Sequence, residues 1–269
     1  MKIKKPIVSI ILPVYNCERF LQASLESLSK QTFRKLEIIA IDDFSKDSSY
    51  KILKKFKKRN KRLRVYRNVK RYGAAITLNR AIRKAKGQFI AFSDSKDIAK
   101  RQRIKKQIDY LLKNPRVVAV GTQCYFINKR DQRIGKSFFP KVSLDVYQAL
   151  VPGLSMEFKT AMINCQLLPK DILRFENNAS PFLFANIFIK FKPYGEITNL
   201  AEYLCYSRKS AREFVGFGIN YTLSLLRIWL KSVTVYTKHS ALQNEFRLTE
   251  FLQTIVRMLR FSIKVTSAR

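Results

Sequence analysis

The N-terminal part of the chain is organised by the stretch VSIILPVYNCERFLQASLESLSKQTFRKLEIIAIDD, residues 8–43. Two short runs rich in branched apolar residues, Val8 to Tyr15 and Leu36 to Asp43, enclose a segment whose leucines recur every three or four residues. Short apolar runs are typical of buried strands, whereas this leucine spacing is typical of one face of a helix. The stretch therefore predicts a strand, a helix and a second strand.

The same alternation continues towards the C-terminus. Each further segment shows either a short apolar run or apolar residues at helical spacing; these segments are a helix at 48–62, a strand at 62–68, a helix at 74–86 closed by Gly87, a strand at 88–94, a helix at 98–113 and a strand at 117–127. Strands that alternate with helices predict an α/β fold, with a mostly parallel central sheet flanked by helices.

Composition limits the classes of partner. The 269 residues contain 53 Lys and Arg against 19 Asp and Glu, a net charge of +34. Such a charge attracts polyanions, namely nucleic acid, anionic lipid or phosphorylated ligands. Four separated cysteines without a CxxC pair, together with a single histidine, argue against a zinc site or a disulfide framework.

The N-terminus MKIKKPIVSIILPVY has the basic start and apolar run of a signal peptide. Pro13 interrupts that run, and Tyr15, Asn16 and Glu18 follow where small residues would mark a cleavage site. No segment reaches the roughly 18 to 20 uncharged apolar residues that span a bilayer. We therefore expect a cytoplasmic protein, peripheral on the inner face of the membrane if its charge binds anionic lipid.

Polar residues follow three of the predicted strands. They are Pro13 to Asn16 after the first strand, Asp42 and Asp43 after the second, and Asp94 to Asp97 after the fourth. An aspartate after a strand commonly caps a turn. However, ligands of parallel sheets bind at the carboxyl ends of the strands. Three such groups at one edge therefore predict a ligand site.

These motifs and their spacing resemble family-two glycosyltransferases with the GT-A fold. The resemblance is strong over residues 7–122 and continues weakly through YGEITNLAEYLCYSRKS, residues 194–210. It implies a nucleotide-sugar-binding half at 1–122 and an acceptor half of the same domain at 123–211. Residues 212–269 show no match, and we expect them to form a helical C-terminal extension.

Site residues follow from the resemblance, motif by motif. Pro13, Tyr15 and Asn16 would line the nucleoside pocket, Asp43 would accept a hydrogen bond from the base, and Arg71 would approach the nucleotide. Asp94 would begin the metal-binding motif, with Asp97 as its partner. Carboxylates there hold Mg²⁺ or Mn²⁺, which neutralises the diphosphate leaving group.

The sequence departs from the family pattern at several of these positions. The usual DADD reads DSKD, so Lys96 replaces the second metal-binding acid, and Phe44 stands where glycine is usual. Lys159 stands where a histidine is usual. The acidic pair that contains the general base corresponds to Leu183 and Phe184, which leaves Glu176 as a weakly placed candidate for the base.

Two interpretations of Lys96 remain open. In one, its ammonium supplies the positive charge that a metal normally brings and pairs with the diphosphate. In the other, the catalytic site has decayed and Lys96 is one more surface lysine. The first predicts an inverting hexosyltransferase that uses a UDP-sugar and a cell-surface glycan or lipid-linked acceptor. The second predicts a non-catalytic nucleotide-sugar binder or a membrane-surface scaffold.

The basic bias favours an anionic membrane surface over nucleic acid. Residues 48–93 contain 16 Lys and Arg without a motif that reads nucleic acid. Polybasic faces bind anionic lipid, although a solvated basic surface explains the same charge. An apolar stripe at helical spacing, from Leu248 to Leu259, would either lie in a bilayer interface or pack on its own domain.

Overall fold

The computed structural model describes residues 7–143, 146, 155–176 and 183–209, with only the backbone of 183–186. The predicted extension at 212–269 and its apolar stripe lie outside the described residues. Within these ranges, none of the helices has both the length and the apolarity that crossing a bilayer requires.

Strands and helices alternate through the first half, as the sequence predicts. In chain order the elements are β1 (Val8–Val14), α1 (Glu18–Ser29), β2 (Leu36–Asp42), α2 (Ser49–Arg59), β3 (Leu63–Arg67), α3 (Ala74–Lys84), β4 (Phe89–Phe92), β5 (Ile98–Ala99), α4 (Arg103–Lys113), β6 (Val117–Ile127), β7 (Arg133–Lys136), β8 (Met162–Asn164), α5 (Leu183–Phe191) and β9 (Glu196–Arg208).

One sheet contains all of these strands. Its order is β3-β2-β1-β4-β8-β6-β9-β5, and β7 pairs with β6. The first four strands are parallel, as are β6 and β9, whereas β8 runs antiparallel to both β4 and β6. The expectation of a mostly parallel sheet thus holds for the first half, while the second half is mixed. Because one sheet includes strands from both halves, the division at residue 122 stays a prediction about their functions.

Helices cover both faces of the sheet. Alternate residues of β1 point to opposite faces, so Ile10 and Leu12 pack with α1, α2 and α4, whereas Ile11 packs with α3 and α5. Helix α1 buries Leu21, Leu25 and Leu28 completely, which confirms the face predicted from their spacing. The predicted α/β fold with flanking helices is therefore confirmed.

The predicted helix at 98–113 was wrong at its start. Ile98 and Ala99 form β5, which pairs antiparallel with β9, and α4 begins only at Arg103. The Lys100 amide donates to the Leu204 carbonyl at 2.9 Å. This pairing joins residues about a hundred positions apart, so local periodicity could not reveal it.

Gly87 does not close α3, contrary to the sequence prediction. The helix ends at Lys84, and Ala85 is already extended (φ −67°, ψ 138°). Instead, Gly87 lies against β1, where its amide donates to Ser9 Oγ at 2.9 Å. A Cβ at this position would lie 2.7 Å from the backbone nitrogen of Ser9. Glycine is therefore required here by close backbone approach.

We expect Gly87→Ala to lower the free energy of unfolding by about 1–3 kcal/mol, because the added methyl group must displace the backbone at Ile7–Ser9. Gly135→Ala is the matched control, since its Cβ would meet only a side-chain atom of Phe126 at 3.4 Å. Urea denaturation measures both variants. Equal stability of the two variants would contradict the close-approach explanation.

Candidate functional site

The three polar groups that follow β1, β2 and β4 lie at one edge of the sheet. These strands are parallel neighbours, with β1 in the middle. The Asp43 amide donates to the Val14 carbonyl at 2.8 Å, and the Ser93 amide donates to the Ile11 carbonyl at 3.0 Å. The structure thus brings together the strand ends that the sequence singled out.

Asp43 organises the loop that follows β3. Its carboxylate is 5% exposed and accepts hydrogen bonds from Asn68 Nδ2 at 2.6 Å and from the amides of Tyr72 and Gly73 at 2.9 and 2.8 Å. Gly73 has a positive φ of 86°, which L side chains rarely adopt. The buried charge therefore fixes the shape of the loop that carries Arg71.

Tyr15 and Arg71 lie against each other at this edge. The Arg71 guanidinium is 4.3 Å from the centroid of the Tyr15 ring, a cation–π contact. Pro13 and Tyr15 are half-buried, whereas Asn16 is exposed and accepts a hydrogen bond from the Lys46 amide at 2.9 Å. A flat aromatic ring beside a planar guanidinium can stack on a heteroaromatic base.

Phe44 adopts the left-handed conformation, with φ 61°. This conformation costs an L-residue about 1–2 kcal/mol, which explains why glycine is usual after the paired aspartates. The Arg67 guanidinium lies 5.3 Å from the centroid of the Phe44 ring. Phe44 therefore occupies a backbone conformation that glycine adopts more easily, and its ring adds a side-chain contact.

The DSKD loop is fastened to the end of β9 by Arg208. The Arg208 amide donates to Asp97 Oδ1 at 2.8 Å, and its Nε donates to the Lys96 carbonyl at 3.0 Å. Within the loop, the Lys96 amide donates to Asp94 Oδ1 at 2.8 Å, while the Lys96 side chain is exposed. Residues far apart in the chain thus define the position of both carboxylates.

Lys159 lies between those two carboxylates. Its Nζ is 3.4 Å from Asp94 Oδ2 and 3.7 Å from Asp97 Oδ2. It comes from a 3-10 turn, Phe158–Thr160, that precedes β8. Next to it, Glu157 Oε2 accepts a hydrogen bond from Lys209 Nζ at 2.7 Å. We call Asp94, Asp97, Glu157, Lys159 and Lys209 the acid–lysine cluster.

Sequence reasoning named Asp94 and Asp97 of this cluster as site residues, but not its other three members. It noted Lys159 only as a substitution, and it did not single out Glu157, Arg208 or Lys209. The signal that was present is the exchange of a usual histidine for lysine at 159. The spacing between residues 94 and 159 gives no sign of their contact, which depends on β8 lying beside β4.

Burial and charge shift the pKa values of the cluster in opposite directions. Burial raises the pKa of Asp97 to about 7; the Lys159 ammonium opposes this shift and the charge of Asp94 adds to it. At Asp94 and Glu157, burial also works to raise the pKa. There the neighbouring ammonium groups and hydrogen bonds outweigh burial, so both pKa values are lowered. Asp94 and Glu157 are therefore ionised at neutral pH.

The residues present do not fit a divalent cation of the kind that the resemblance implies. Mg²⁺ and Mn²⁺ require several oxygen ligands, but Lys96 replaces one acid and the Lys159 ammonium faces the two that remain. In the part of the chain that the structure describes, no group of three or more His, Cys, Asp or Glu residues is arranged to hold a metal. Metal binding by Asp94 and Asp97 stays a prediction from the resemblance.

Glu176, the candidate base, lies beside helix α5. Its exposed carboxylate pairs with Lys190 of α5, in a cavity of about 450 Å³ that Asn79 of α3 also lines. Leu183 and Phe184 lie at the start of α5. The assignment of Glu176 as base stays a prediction.

Comparison with known proteins gives the class of this chain. Residues 9–170 match the family described as Glycosyl transferase family 2. A relative from Escherichia coli, the UDP-Glc:alpha-D-GlcNAc-diphosphoundecaprenol beta-1,3-glucosyltransferase WfgD, is 32% identical over 67% of this chain and 69% of its own length. The chain therefore belongs to glycosyltransferase family 2, which confirms the predicted family.

Matches to relatives are partial in length. The matched stretches span between 38% and 69% of the curated relatives' own lengths. These partial matches establish the family, but they do not establish the donor and the acceptor of this chain.

Solved structures confirm the GT-A fold. S. aureus TarS in complex with UDP-GlcNAc has a TM-score of 0.69 at 21% identity, over 94% of this chain and 71% of that chain. The mannosyltransferase PcManGT from Pyrobaculum calidifontis, in complex with GDP-Man and Mn²⁺, has a TM-score of 0.60 at 16% identity, over 94% and 80%. The fold is thus shared with glycosyltransferases solved with a nucleotide-sugar, one of them with a divalent metal.

We expect Asp43→Ala to lower the free energy of unfolding by about 1–3 kcal/mol, because one buried and two partly buried donors lose their acceptor. The variant should also bind UDP more weakly, since the loop that carries Arg71 loses its support. Thermal unfolding and calorimetry with UDP measure the two effects. Asp109→Ala, which breaks only an exposed ion pair with Lys105, should change stability by about 0.5 kcal/mol or less. If Asp43→Ala binds UDP as tightly as the parent, Asp43 has no part in the nucleotide site.

Proposed function

We propose that this chain binds a UDP-hexose at the ends of β1, β2 and β4 and transfers the sugar, with inversion, to a glycan or lipid-linked acceptor. The observation that carries the proposal is the meeting of three motifs at one sheet edge: the Tyr15–Arg71 pair, the loop built on Asp43, and the DSKD loop. Each supplies a different part of a nucleotide-sugar site, and their strands are neighbours.

The Tyr15–Arg71 pair and Asp43 form the nucleoside part of the proposed site, together with Pro13 and Asn16. A planar base would stack at the ring and guanidinium, while a carboxylate at this strand end favours a base with an N–H, such as uracil. The relative WfgD is named for a UDP-glucose donor, and TarS was solved with UDP-GlcNAc. Both names support a uridine nucleotide as the donor of this chain.

Next to β1, the DSKD loop forms the diphosphate part of the proposed site. Asp94 is half-exposed at the end of β4, and the exposed Lys96 adds a cation at the rim. A cation near the leaving diphosphate stabilises the charge that develops as the glycosidic bond breaks. Glu176 remains our candidate for the carboxylate that activates the acceptor hydroxyl.

A second candidate function is nucleotide-sugar binding without transfer. The observation that favours it is the start of α5, where Leu183 and Phe184 stand at the positions of the acidic pair that contains the family's base. In this case the nucleoside part would be retained while the chemistry is lost. The two candidates share their ligand and differ only in turnover.

Turnover therefore decides between the two functions. Purified protein would be titrated with UDP by calorimetry and then incubated with UDP-glucose or UDP-GlcNAc and a GlcNAc-diphosphoundecaprenol acceptor, with UDP release as the readout. We expect UDP binding and acceptor-dependent release of UDP. Binding without release supports the non-catalytic binder, and the absence of any UDP binding excludes both.

We also propose that the protein binds an anionic membrane surface, where it would meet a lipid-linked acceptor. Ile134, Phe138 and Val142 are 47%, 78% and 61% exposed, and they alternate with Arg133, Lys136 and Lys141. Apolar side chains among cations suit the interface of an anionic bilayer. The β6–β7 loop reaches the DSKD loop, because Arg208 contacts both Asp131 and the Lys96 carbonyl. A lipid-linked acceptor bound there would be near the donor site.

We expect the protein to sediment with vesicles that contain phosphatidylglycerol and to be released as salt rises, because screening shortens the reach of charge from ~10 Å at 0.1 M to ~3 Å at 1 M. Phe138→Ser should reduce this binding. Leu112→Ser, at a position 66% exposed on α4, should leave it unchanged. Equal binding to neutral vesicles, or equal effects of the two variants, would exclude this surface.

A further inference from the structure

The place between Asp94 and Asp97 is filled by the side chain of Lys159. Its Nζ lies 3.4 Å from one carboxylate and 3.7 Å from the other. Among the described residues, the buried Oδ2 of Asp97 has no hydrogen-bond partner, and the Lys159 ammonium is a positive charge that it faces. The side chains of Lys159 and Asp94 are 23% and 29% exposed, so a ligand can reach the pair from solvent.

The backbone of Lys159 is held by a buried network. Arg103 is completely buried and donates to the Phe92 carbonyl at 2.9 Å and to the Lys159 carbonyl at 3.1 Å, which ties the end of β4 to the 3-10 turn. Gln107 Nε2 donates to the Thr160 carbonyl at 2.7 Å. Phe158 packs on Phe92 with ring centroids 4.2 Å apart. The position of the ammonium is thus built into the core.

The side chain of Lys96 is placed differently. It is exposed, and the contacts that hold the residue in the DSKD loop come from its backbone amide and carbonyl. Lys159, by contrast, approaches the carboxylates of Asp94 and Asp97 from the 3-10 turn that precedes β8. Of these two lysines, Lys159 is the one whose position the core determines.

We propose that the Lys159 ammonium takes the place of the divalent cation in this chain and contacts the diphosphate of the nucleotide-sugar, so that donor binding needs no metal. This inference rests on the proposed function and specifies the chemistry of its diphosphate part. An ammonium is a compact point charge with three donors, and lysine is a common phosphate ligand. With Asp94 and Asp97 already facing this cation, a divalent ion would meet a like charge at the same place.

Calorimetry with UDP and with uridine, each in EDTA and in Mn²⁺, tests the proposal. We expect the parent to bind UDP equally in both buffers, within about twofold. Lys159→Ala should weaken the binding of UDP about 10- to 100-fold in EDTA, the range of a charge-assisted hydrogen bond. The affinity for uridine, which has no diphosphate, should stay unchanged. Mn²⁺ should restore part of the loss, because the two carboxylates are then available to an ion.

Matched variants separate this effect from general changes in charge. Lys105→Ala removes a lysine from an exposed pair on α4 and should bind UDP like the parent. Lys96→Ala should weaken the binding of UDP less than Lys159→Ala does. If Lys159→Ala fails to fold, Lys159→Gln keeps a donor beside Asp94 without the charge and should show the same loss of UDP affinity. Thermal unfolding of each variant verifies the fold.

Several outcomes would overturn the proposal. A parent that binds UDP only with Mn²⁺, or a Lys159→Ala variant that binds UDP like the parent in EDTA, contradicts it while leaving the proposed function intact. A larger loss from Lys96→Ala than from Lys159→Ala would assign the diphosphate contact to Lys96 instead. A parent that binds UDP in neither buffer contradicts the proposed function itself.

Discussion

The buried guanidinium of Arg103 joins two of the three parts of the chain that form the acid–lysine cluster. It donates to the carbonyls of Phe92, at the end of β4, and Lys159, before β8. Burial lowers the pKa of this guanidinium, while the nearby Asp97 opposes that shift. A buried charge without partners is strongly destabilising. The buried guanidinium is therefore most stable when the strand end and the 3-10 turn keep their two carbonyls within its reach. The position of Lys159 depends on that arrangement.

Two departures from the family pattern have physical explanations in this structure. Phe44 keeps the left-handed backbone that glycine would adopt more easily, and its ring contacts Arg67. The replacement of acid by lysine at position 96 coincides with a lysine at 159 that faces the remaining acids. Taken together, the changes at 96 and 159 alter the charge of the proposed diphosphate part. In the proposed nucleoside part, Tyr15 contacts Arg71 and Asp43 supports the loop that follows β3. Both of our proposals, UDP binding and a diphosphate contact without metal, depend on this difference between the two parts.

The donor and acceptor parts of the proposed site are connected through Arg208. Its amide and Nε hold the DSKD loop, while its other nitrogens donate to the Asn128 carbonyl and to Asp131 in the β6–β7 loop. The exposed apolar residues Ile134 and Phe138 follow that loop. A membrane-bound acceptor at this surface would therefore be near the donor because both loops share one buried anchor.

The sequence by itself determined most of the helices and strands in residues 8–127 and the first half of the site. The spacing of Leu21, Leu25 and Leu28 predicted a helix face, and strand-end motifs predicted where Tyr15, Asp43 and Asp94 would meet, because parallel neighbours end at the same sheet edge. Only the tertiary structure decided what surrounds Asp94. The antiparallel strand β8 lies between β4 and β6, and β9 returns beside β6, so Lys159 and Arg208 reach a loop that lies 62 to 112 residues earlier at the contacts they make. Local periodicity reports which face of an element is buried, whereas contacts between distant segments depend on how whole strands pair, and no spacing in this sequence encodes that pairing.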